Sequence, residues 1–272
     1  MSAVAPPLPP RRLRFMNEDD TRLVDTGALL ARTLYAHGLG AGHRLLDVGC
    51  GYGRLAIGLM STGYEGRYKG FDILPLQVRW CRRHLTPADD RYRFRHLDVH
   101  NARYNATGTI EAAAVRFPAR DESHDYCALF SVFTHFYADD VRRYLAEIRR
   151  VLVPGGRAVT TWFVWDDARL PAITAESSAY PMVHVLDEVT RYETESDPLK
   201  AIAYREDFVR ELVRGAGLEV ETLVRGRWAH DGPDPEQFQD LLVLRRPPLG
   251  TATRIRRRLG RLRRRLVRAG RG

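Results

Sequence analysis

Residues Leu45–Leu59 read LLDVGCGYGRLAIGL: an apolar run carrying one acid, three glycines at alternate positions, then an apolar pattern at helical spacing. An apolar run broken by glycines predicts a buried strand and a tight turn, and the apolar spacing after it predicts a helix. A glycine-rich turn at that junction lets a ligand approach the backbone beside a helix N-terminus, where N–H groups point outward. Loops of this kind hold nucleotides. The dinucleotide fingerprint G-x-G-x-x-G fails from Gly49, because residue 54 is Arg54. From Gly51 it reads G-x-G-x-x-A, a form some dinucleotide folds tolerate, so the glycines leave that alternative open. A triphosphate loop is excluded, since no Gly-Lys-Ser/Thr follows.

Outward from this stretch, strands and helices alternate. Thr21–Tyr35 predicts a helix ending near Gly38, Arg44–Val48 a strand and Arg54–Met60 a helix. Arg67–Phe71, Tyr92–Leu97, Tyr126–Phe130 and Arg157–Phe163 read as further strands. Helices are expected over Pro75–His84, which has proline in its first turn, and over Ala138–Val151. Pro154-Gly155 supplies the residues of a type II turn. Asp166–Lys200 shows no clean period and reads as a lid or recognition insert, followed by a helix over Arg205–Arg214. Leu218–Val224 and Asp240–Arg245 are joined by a loop around Asp231–Pro235 too short for a parallel crossover, so they predict an antiparallel pair at the sheet edge. The expected fold is α/β: a doubly wound, mostly parallel seven-stranded Rossmann-like sheet with an antiparallel edge strand.

Composition sets the outer limits. The net charge is +9, but 12 arginines and no acid lie between Arg245 and the end. Residues 1–244 therefore carry 9 − 12, about −3, which argues against a nucleic-acid-binding core. Cys50, Cys81 and Cys127 form no C-x-x-C or zinc pattern, so no metal is expected and a reducing, cytoplasmic setting is. No run approaches the roughly 20 apolar residues of a membrane span. Pro6, Pro7, Pro9 and Pro10 predict an extended, flexible arm over residues 1–19, ahead of a main domain over 20–246. In the basic tail, residues 247–272, Ile255, Leu259, Leu262 and Leu266 form an apolar stripe among arginines, suited to an anionic membrane surface or another polyanion.

Three acids decide which nucleotide. Asp47 lies two residues before Gly49, Asp72 ends the second strand and Asp98 ends the third in HLDV. With the glycines and the Pro-Gly-Gly turn, this ordered set over residues 40–165 resembles the class I S-adenosylmethionine-dependent methyltransferases. The resemblance implies S-adenosylmethionine as cofactor. It also implies that Gly49 and Gly51 admit its methionine part and Gly53 eases the turn into the helix. By the same carry-over, Asp47 organises the ammonium end, Asp72 holds the ribose and Ile73 covers one adenine face. Asp98 would accept from the adenine amino group, Val99 would present its amide to the ring, and Phe130 and Ser131 would pass near the sulfonium.

The segment FSVFTHF, Phe130–Phe136, followed by YLAEIRRVLVPGG, resembles methyltransferases of bacterial small molecules, sugars or lipids. The D/N-P-P-Y/F of adenine-methylating enzymes is absent. His135 is the candidate general base, because histidine titrates near working pH. His100, Tyr104 and Asn105 could line the same cleft or serve only the loop. Trp162, Phe163, Trp165, Tyr180, Met182 and His184 could wall an acceptor pocket or form the core under a lid. The expected activity is O-methylation of a small molecule, sugar or lipid-linked acceptor, with peripheral membrane attachment through the tail. A dinucleotide-dependent dehydrogenase remains an alternative, as does a non-catalytic binding protein with a polyanion-binding tail.

Overall fold

The glycine-rich turn is the hinge on which the architecture is built. In a computed structural model, which describes residues 5–14, 19–230 and 236–250, it joins β1 (Arg44–Val48) to α2 (Arg54–Ser61). Ahead of it runs α1 (Asp20–Ala36), started by the Asp19 carboxylate, which accepts the otherwise unpaired N–H of Arg22. The alternation then continues through β2 (Arg67–Asp72), α3 (Pro75–Ala88), β3 (Tyr92–His96), β4 (His124–Leu129), α4 (Ala138–Val151) and β5 (Leu152–Trp162). A small unit follows: β6 (Val164–Trp165), α5 (Leu170–Thr174), β7 (His184–Val185), β8 (Thr190–Tyr192) and β9 (Ile202–Arg205). The chain closes through α6 (Glu206–Gly215), β10 (Glu219–Val224) and β11 (Asp240–Arg245).

The main sheet has seven strands in the order β10-β11-β5-β4-β1-β2-β3. The run from β5 to β3 is parallel, and β11 is antiparallel to both β5 and β10. The expected doubly wound sheet with its antiparallel edge is therefore present. Buried residues cluster on each face. One cluster joins Leu46, Val48, Phe71 and Leu129 to Leu145 and Ile148 of α4. The other joins Leu45, Tyr68 and Ala128 to Leu23 and Leu34 of α1 and Leu55 and Leu59 of α2. The α1–α2 contact depends on glycine: a Cβ on Gly58 would lie 1.9 Å from the Gly27 carbonyl oxygen.

Four expectations change. Residues 5–14 do not project as an arm, because Pro9 is buried and Leu8 and Leu13 pack against the second cluster. Pro154-Gly155-Gly156 does not separate helix from strand. It is a bulge inside β5, with Leu152 beside His124 and Arg157 beside Tyr126, and the Gly155 N–H donating to the Arg246 carbonyl. Helix α3 continues past His84 and carries Pro87 in its last turn, where the missing N–H removes the helical donor to the Arg83 carbonyl and the helix stops one residue later. The insert, read as having no clean period, contributes β7 and β8 to a four-stranded sheet in the order β6-β9-β8-β7. Its strands are two to four residues long, too short to leave a period in the sequence.

Buried Asp240 fixes this small sheet to the large one. Its carboxylate accepts from the Val164 N–H, the Gly226 N–H, the Trp228 indole N–H and the Arg169 guanidinium, at 2.7–3.0 Å. Phe163, Trp165 and Met182 form the insert's own core with Trp228, and Tyr180 packs on them. Trp162 belongs to the main core. Most of the aromatic residues that were candidates for a pocket wall thus serve packing.

Candidate functional site at the strand ends

The turn after β1 is stitched to the end of β2. The Gly49 and Cys50 N–H groups donate to the Phe71 carbonyl at 2.9 and 3.1 Å, and the Gly51 N–H donates to Asp72 Oδ2 at 2.6 Å. Gly49 has φ +76°, and a Cβ there would meet Val132 Cγ2 at 2.7 Å. Gly53, at φ +85°, would set a Cβ 2.6 Å from Leu85 of α3. Both positions need glycine for conformation and for space, because the left-handed region costs an L-residue about 1–2 kcal/mol even without a clash.

Asp72 joins loop and helix. Oδ2 holds the loop, and Oδ1 accepts from the Leu74 N–H at 2.9 Å, at the start of α3. Beside it on the neighbouring strand, Asp47 is buried and accepts the Tyr68 hydroxyl proton on Oδ2 at 2.5 Å. Burial pushes the Asp47 pKa up to about 7, opposed by the Tyr68 hydrogen bond and assisted by the charge of Asp72. Burial raises Asp72 too, against the Gly51 and Leu74 N–H groups that stabilise its anion. Neither acid forms an ion pair among the described residues. Two buried carboxyls under a glycine loop, without a cation of their own, favour a ligand that brings positive charge. A sulfonium with an α-ammonium group fits that description.

Asp98 lies farther along the strand ends, and its carboxylate organises its own loop. Oδ1 accepts from Asn105 Nδ2 at 3.0 Å, and Oδ2 accepts from Thr109 Oγ1 at 2.8 Å and from the Thr109 N–H at 3.2 Å. Those donors, Asn105 first, hold its pKa below the usual value. Val99 is buried and pairs with Ile110 across the base of this loop. Ile73 is half-buried, and its carbonyl accepts from His96 Nε2. Phe130 is half-buried against the second core cluster. Ser131 is exposed with φ +56°, uncommon for a residue with a side chain. Its N–H donates to Thr161 Oγ1 at 2.7 Å and its hydroxyl to Gln239 at 3.0 Å, and these bonds hold the turn leaving β4.

His135 ends the 3-10 turn that follows, Phe133–His135. Its Nδ1 lies 2.9 Å from the Leu199 carbonyl oxygen. A carbonyl only accepts, so Nδ1 carries the proton and Nε2 of the neutral ring keeps a free lone pair. Burial lowers its pKa, opposed by the Leu199 carbonyl and assisted by the charge of Arg103. The Tyr104 ring meets the His135 ring edge-on, with centroids 5.4 Å apart. An ion pair between Arg103 and Asp197 ties the loop after β3 to the insert at the same place.

The structure thus brings Asp47, Asp72 and the glycines into one cluster, with Asp98 and Ser131 at neighbouring strand ends and His135 under the insert. Sequence reasoning missed Tyr68, Val132, Arg103, Asp197 and Leu199. Tyr68 shared only strand periodicity with its neighbours. The other four lie in loops or short elements whose positions depend on tertiary contacts. His100, its N–H bonded to the Ile110 carbonyl, and Asn105, bonded to Asp98, help shape the loop.

A family model described as a methyltransferase domain matches residues 46–160, the span from β1 to β5. The phthiotriol/phenolphthiotriol dimycocerosates methyltransferase of Mycobacterium tuberculosis is 29% identical over 176 residues, covering 63% of this chain and 55% of its own length. Methyltransferase GfsG of Streptomyces halstedii is 31% identical over 137 residues, covering 50% of this chain and 43% of its own. The chain spans about half the length of these curated relatives. Among solved structures, the Burkholderia thailandensis 1,6-didemethyltoxoflavin-N1-methyltransferase, with S-adenosylhomocysteine and 1,6-didemethyltoxoflavin bound, superposes with a TM-score of 0.51. It is 19% identical, covering 84% of this chain and 81% of its own, so the likeness is one of fold.

Proposed function

We propose that this chain, which belongs to the class I S-adenosylmethionine-dependent methyltransferases, O-methylates a small-molecule, sugar or lipid-linked acceptor with His135 as general base. The dinucleotide-dependent alternative falls away with that family. S-adenosylmethionine, when bound, supplies an electrophilic methyl group on a sulfonium. Asp72 would hold the ribose with the lone pairs its two backbone N–H partners leave free. Asp47 would face the ammonium end, and Gly49, Gly51 and Gly53 would give the tail room. Ile73, Val99, Phe130 and Ser131 would border the adenosyl part. Asp98 would act chiefly through the loop it shapes, since three donors already occupy its carboxylate.

The observation that carries the acceptor side is the His135–Leu199 hydrogen bond. With Nδ1–H committed, Nε2 is the nitrogen able to take a proton from an acceptor hydroxyl as its oxygen gains the methyl group. The lowered pKa keeps the ring neutral, the form a base must have, at neutral pH. The insert would exclude water and position the acceptor, an effect that supplies much of the acceleration in an in-line displacement. A lipid-methylating relative supports an acceptor with lipid character. Labelled S-adenosylmethionine screened against lipid and metabolite extracts would identify the acceptor. Against it, His135→Gln should lose about 10²–10⁴-fold in turnover with S-adenosylhomocysteine affinity unchanged. Turnover near normal would reject His135 as the base.

No helix among the described residues is long and apolar enough to cross a membrane. The amphipathic reading of the tail falls on residues 251–272, outside the described residues. Peripheral attachment through its arginines remains part of the proposal. Deleting residues 251–272 should abolish sedimentation with anionic vesicles, and unchanged sedimentation would reject that part.

A further inference from the structure

The connection after β3 carries a finger, residues 101–105, that braces itself. The Asn101 N–H donates to the Asn105 carbonyl at 3.1 Å, and the Asn105 N–H donates back to the Asn101 carbonyl at 2.9 Å, closing the base. Inside the finger, Asn101 Oδ1 accepts the Arg103 and Tyr104 N–H groups at 3.1 and 3.0 Å. Asn105 Nδ2 ties the base to Asp98 Oδ1 at 3.0 Å and to the Val99 carbonyl at 2.9 Å. All of these bonds lie within residues 98–105, so the shape of the finger does not depend on what its tip touches. The tip carries Arg103 and Tyr104, with the guanidinium over the Tyr104 ring, 5.4 Å from its centroid.

That tip closes a ring of contacts around His135. Arg103 pairs with Asp197 of the insert. Asp197 leads into the 3-10 turn Pro198–Lys200, its carbonyl accepting the Lys200 N–H at 3.0 Å, and this turn contains the Leu199 carbonyl that holds His135 Nδ1. From His135 the edge-on Tyr104 ring leads back to the tip. The links differ in strength. Asp197 and Leu199 are joined through the chain itself, and Leu199 bonds an imidazole that burial has desolvated. Arg103 and Asp197 have side chains 31% and 37% exposed, and exposed ion pairs shift an equilibrium by only about 1.4- to fivefold. Among the described residues it is the one hydrogen bond or ion pair between finger and insert, so it is the link that yields first. A general base must come within hydrogen-bond distance of an acceptor, and the site must then shut against water. A self-braced wall that parts at an exposed ion pair and closes again meets both needs.

We propose that residues 101–105 are the movable wall of the acceptor site: the Arg103–Asp197 pair latches the wall to the insert, and Tyr104 limits what reaches His135. Arg103 and Asp197 are thus positioning residues. The inference rests on the reading of His135 as acceptor-facing, but its test needs no acceptor. Diethyl pyrocarbonate modifies neutral imidazole, and peptide mass spectrometry of the full chain at about pH 7.5 reads its rate at each histidine; the lowered pKa keeps His135 neutral there. Buried His124 reports opening of the fold as a whole. Arg103→Gln and Asp197→Asn should each raise the His135 rate by about two- to fivefold, and Arg103→Asp combined with Asp197→Arg should restore it. Tyr104→Ala should raise the rate at least as far with the ion pair intact. Salt at about 1 M should speed modification of the natural protein by the same factor and leave Arg103→Gln unchanged, which tests the latch even if a variant misfolds. Equal His135 rates across salt and variants, or no recovery in the charge-reversed pair, overturn the inference. So does a rise at His124 that matches the rise at His135. The base reading fails separately, through unchanged turnover of His135→Gln with an identified acceptor.

Discussion

Replacing Asp47 by asparagine should change the way stability depends on pH at the heart of the site. Asp47 is 3% exposed, and its carboxyl is held up to about pH 7, chiefly by burial. In the unfolded chain an aspartate ionises near pH 3.9. Between those values the unfolded chain is ionised at this position and the folded protein is protonated. The group's contribution to stability is therefore fully present below about pH 4 and is lost as pH rises through about 7. A displacement of about three pH units corresponds to ~4 kcal/mol. The asparagine amide keeps an oxygen for the Tyr68 hydroxyl and has no charge to desolvate. The stability of Asp47→Asn relative to the natural protein should then rise from about pH 4.5 to about pH 7.5, by up to ~4 kcal/mol. Urea unfolding followed by circular dichroism at pH steps through that window measures the difference. His124, whose pKa burial depresses to about 4, stabilises above about pH 6.5 and loses that contribution as pH falls, but it does so in both proteins and cancels. A difference that stays flat, or falls as pH rises, would show that Asp47 is ionised in the fold and refute the reasoning.

Other expectations follow from the same geometry. Gly58→Ala should cost ~3 kcal/mol or more in thermal or urea unfolding, because the added Cβ meets Gly27 backbone and no side chain can yield. A loss under ~1 kcal/mol would mean that α1 and α2 separate easily. Asp240→Ala should cost ~3–5 kcal/mol, since it removes the carboxylate that neutralises the buried Arg169 guanidinium and leaves three N–H donors without their acceptor. Limited proteolysis should then cut first in the insert. Ser131→Gly should stabilise by about 1 kcal/mol through relief of its positive φ, measured as a higher urea midpoint, provided its Gln239 bond contributes little. Once an acceptor is in hand, methyl transfer should rise with pH through a value below the ordinary histidine 6.5 and level off by neutrality. A profile still rising above pH 8 would point to a base other than His135.

Much of the architecture was legible because it depends on local rules. Apolar runs ending in glycine or acid mark strands that reach the ligand end of a parallel sheet. The Ala138–Val151 helix announced itself through acids in its first turn and arginines in its last, which suit the helix dipole. The Asp240–Arg245 strand was equally clear. The insert was not, because strands of two residues have no period and are held by partners far along the chain, Asp240 above all. The bulge in β5 was hidden for a related reason. Pro-Gly-Gly makes a turn or a bulge according to whether a neighbouring strand, here the segment at Arg246, is present to pair with it.

The site divides along the same line. Residue order alone was enough for the glycine loop and the acids at the first three strand ends, because chain order and strand direction place those residues at one edge of any such sheet. What each acid does depended on the folded chain. Asp47 is turned inward to Tyr68, Asp72 is shared between the glycine loop and the start of α3, and Asp98 is drawn into its own loop by Asn105 and Thr109. The state of His135 depended on it too, since the carbonyl that fixes its free nitrogen belongs to Leu199, 64 residues away. Hydrogen bonds and desolvation act over a few ångströms in space, and pattern along a chain carries no record of which distant atoms will fall within that range.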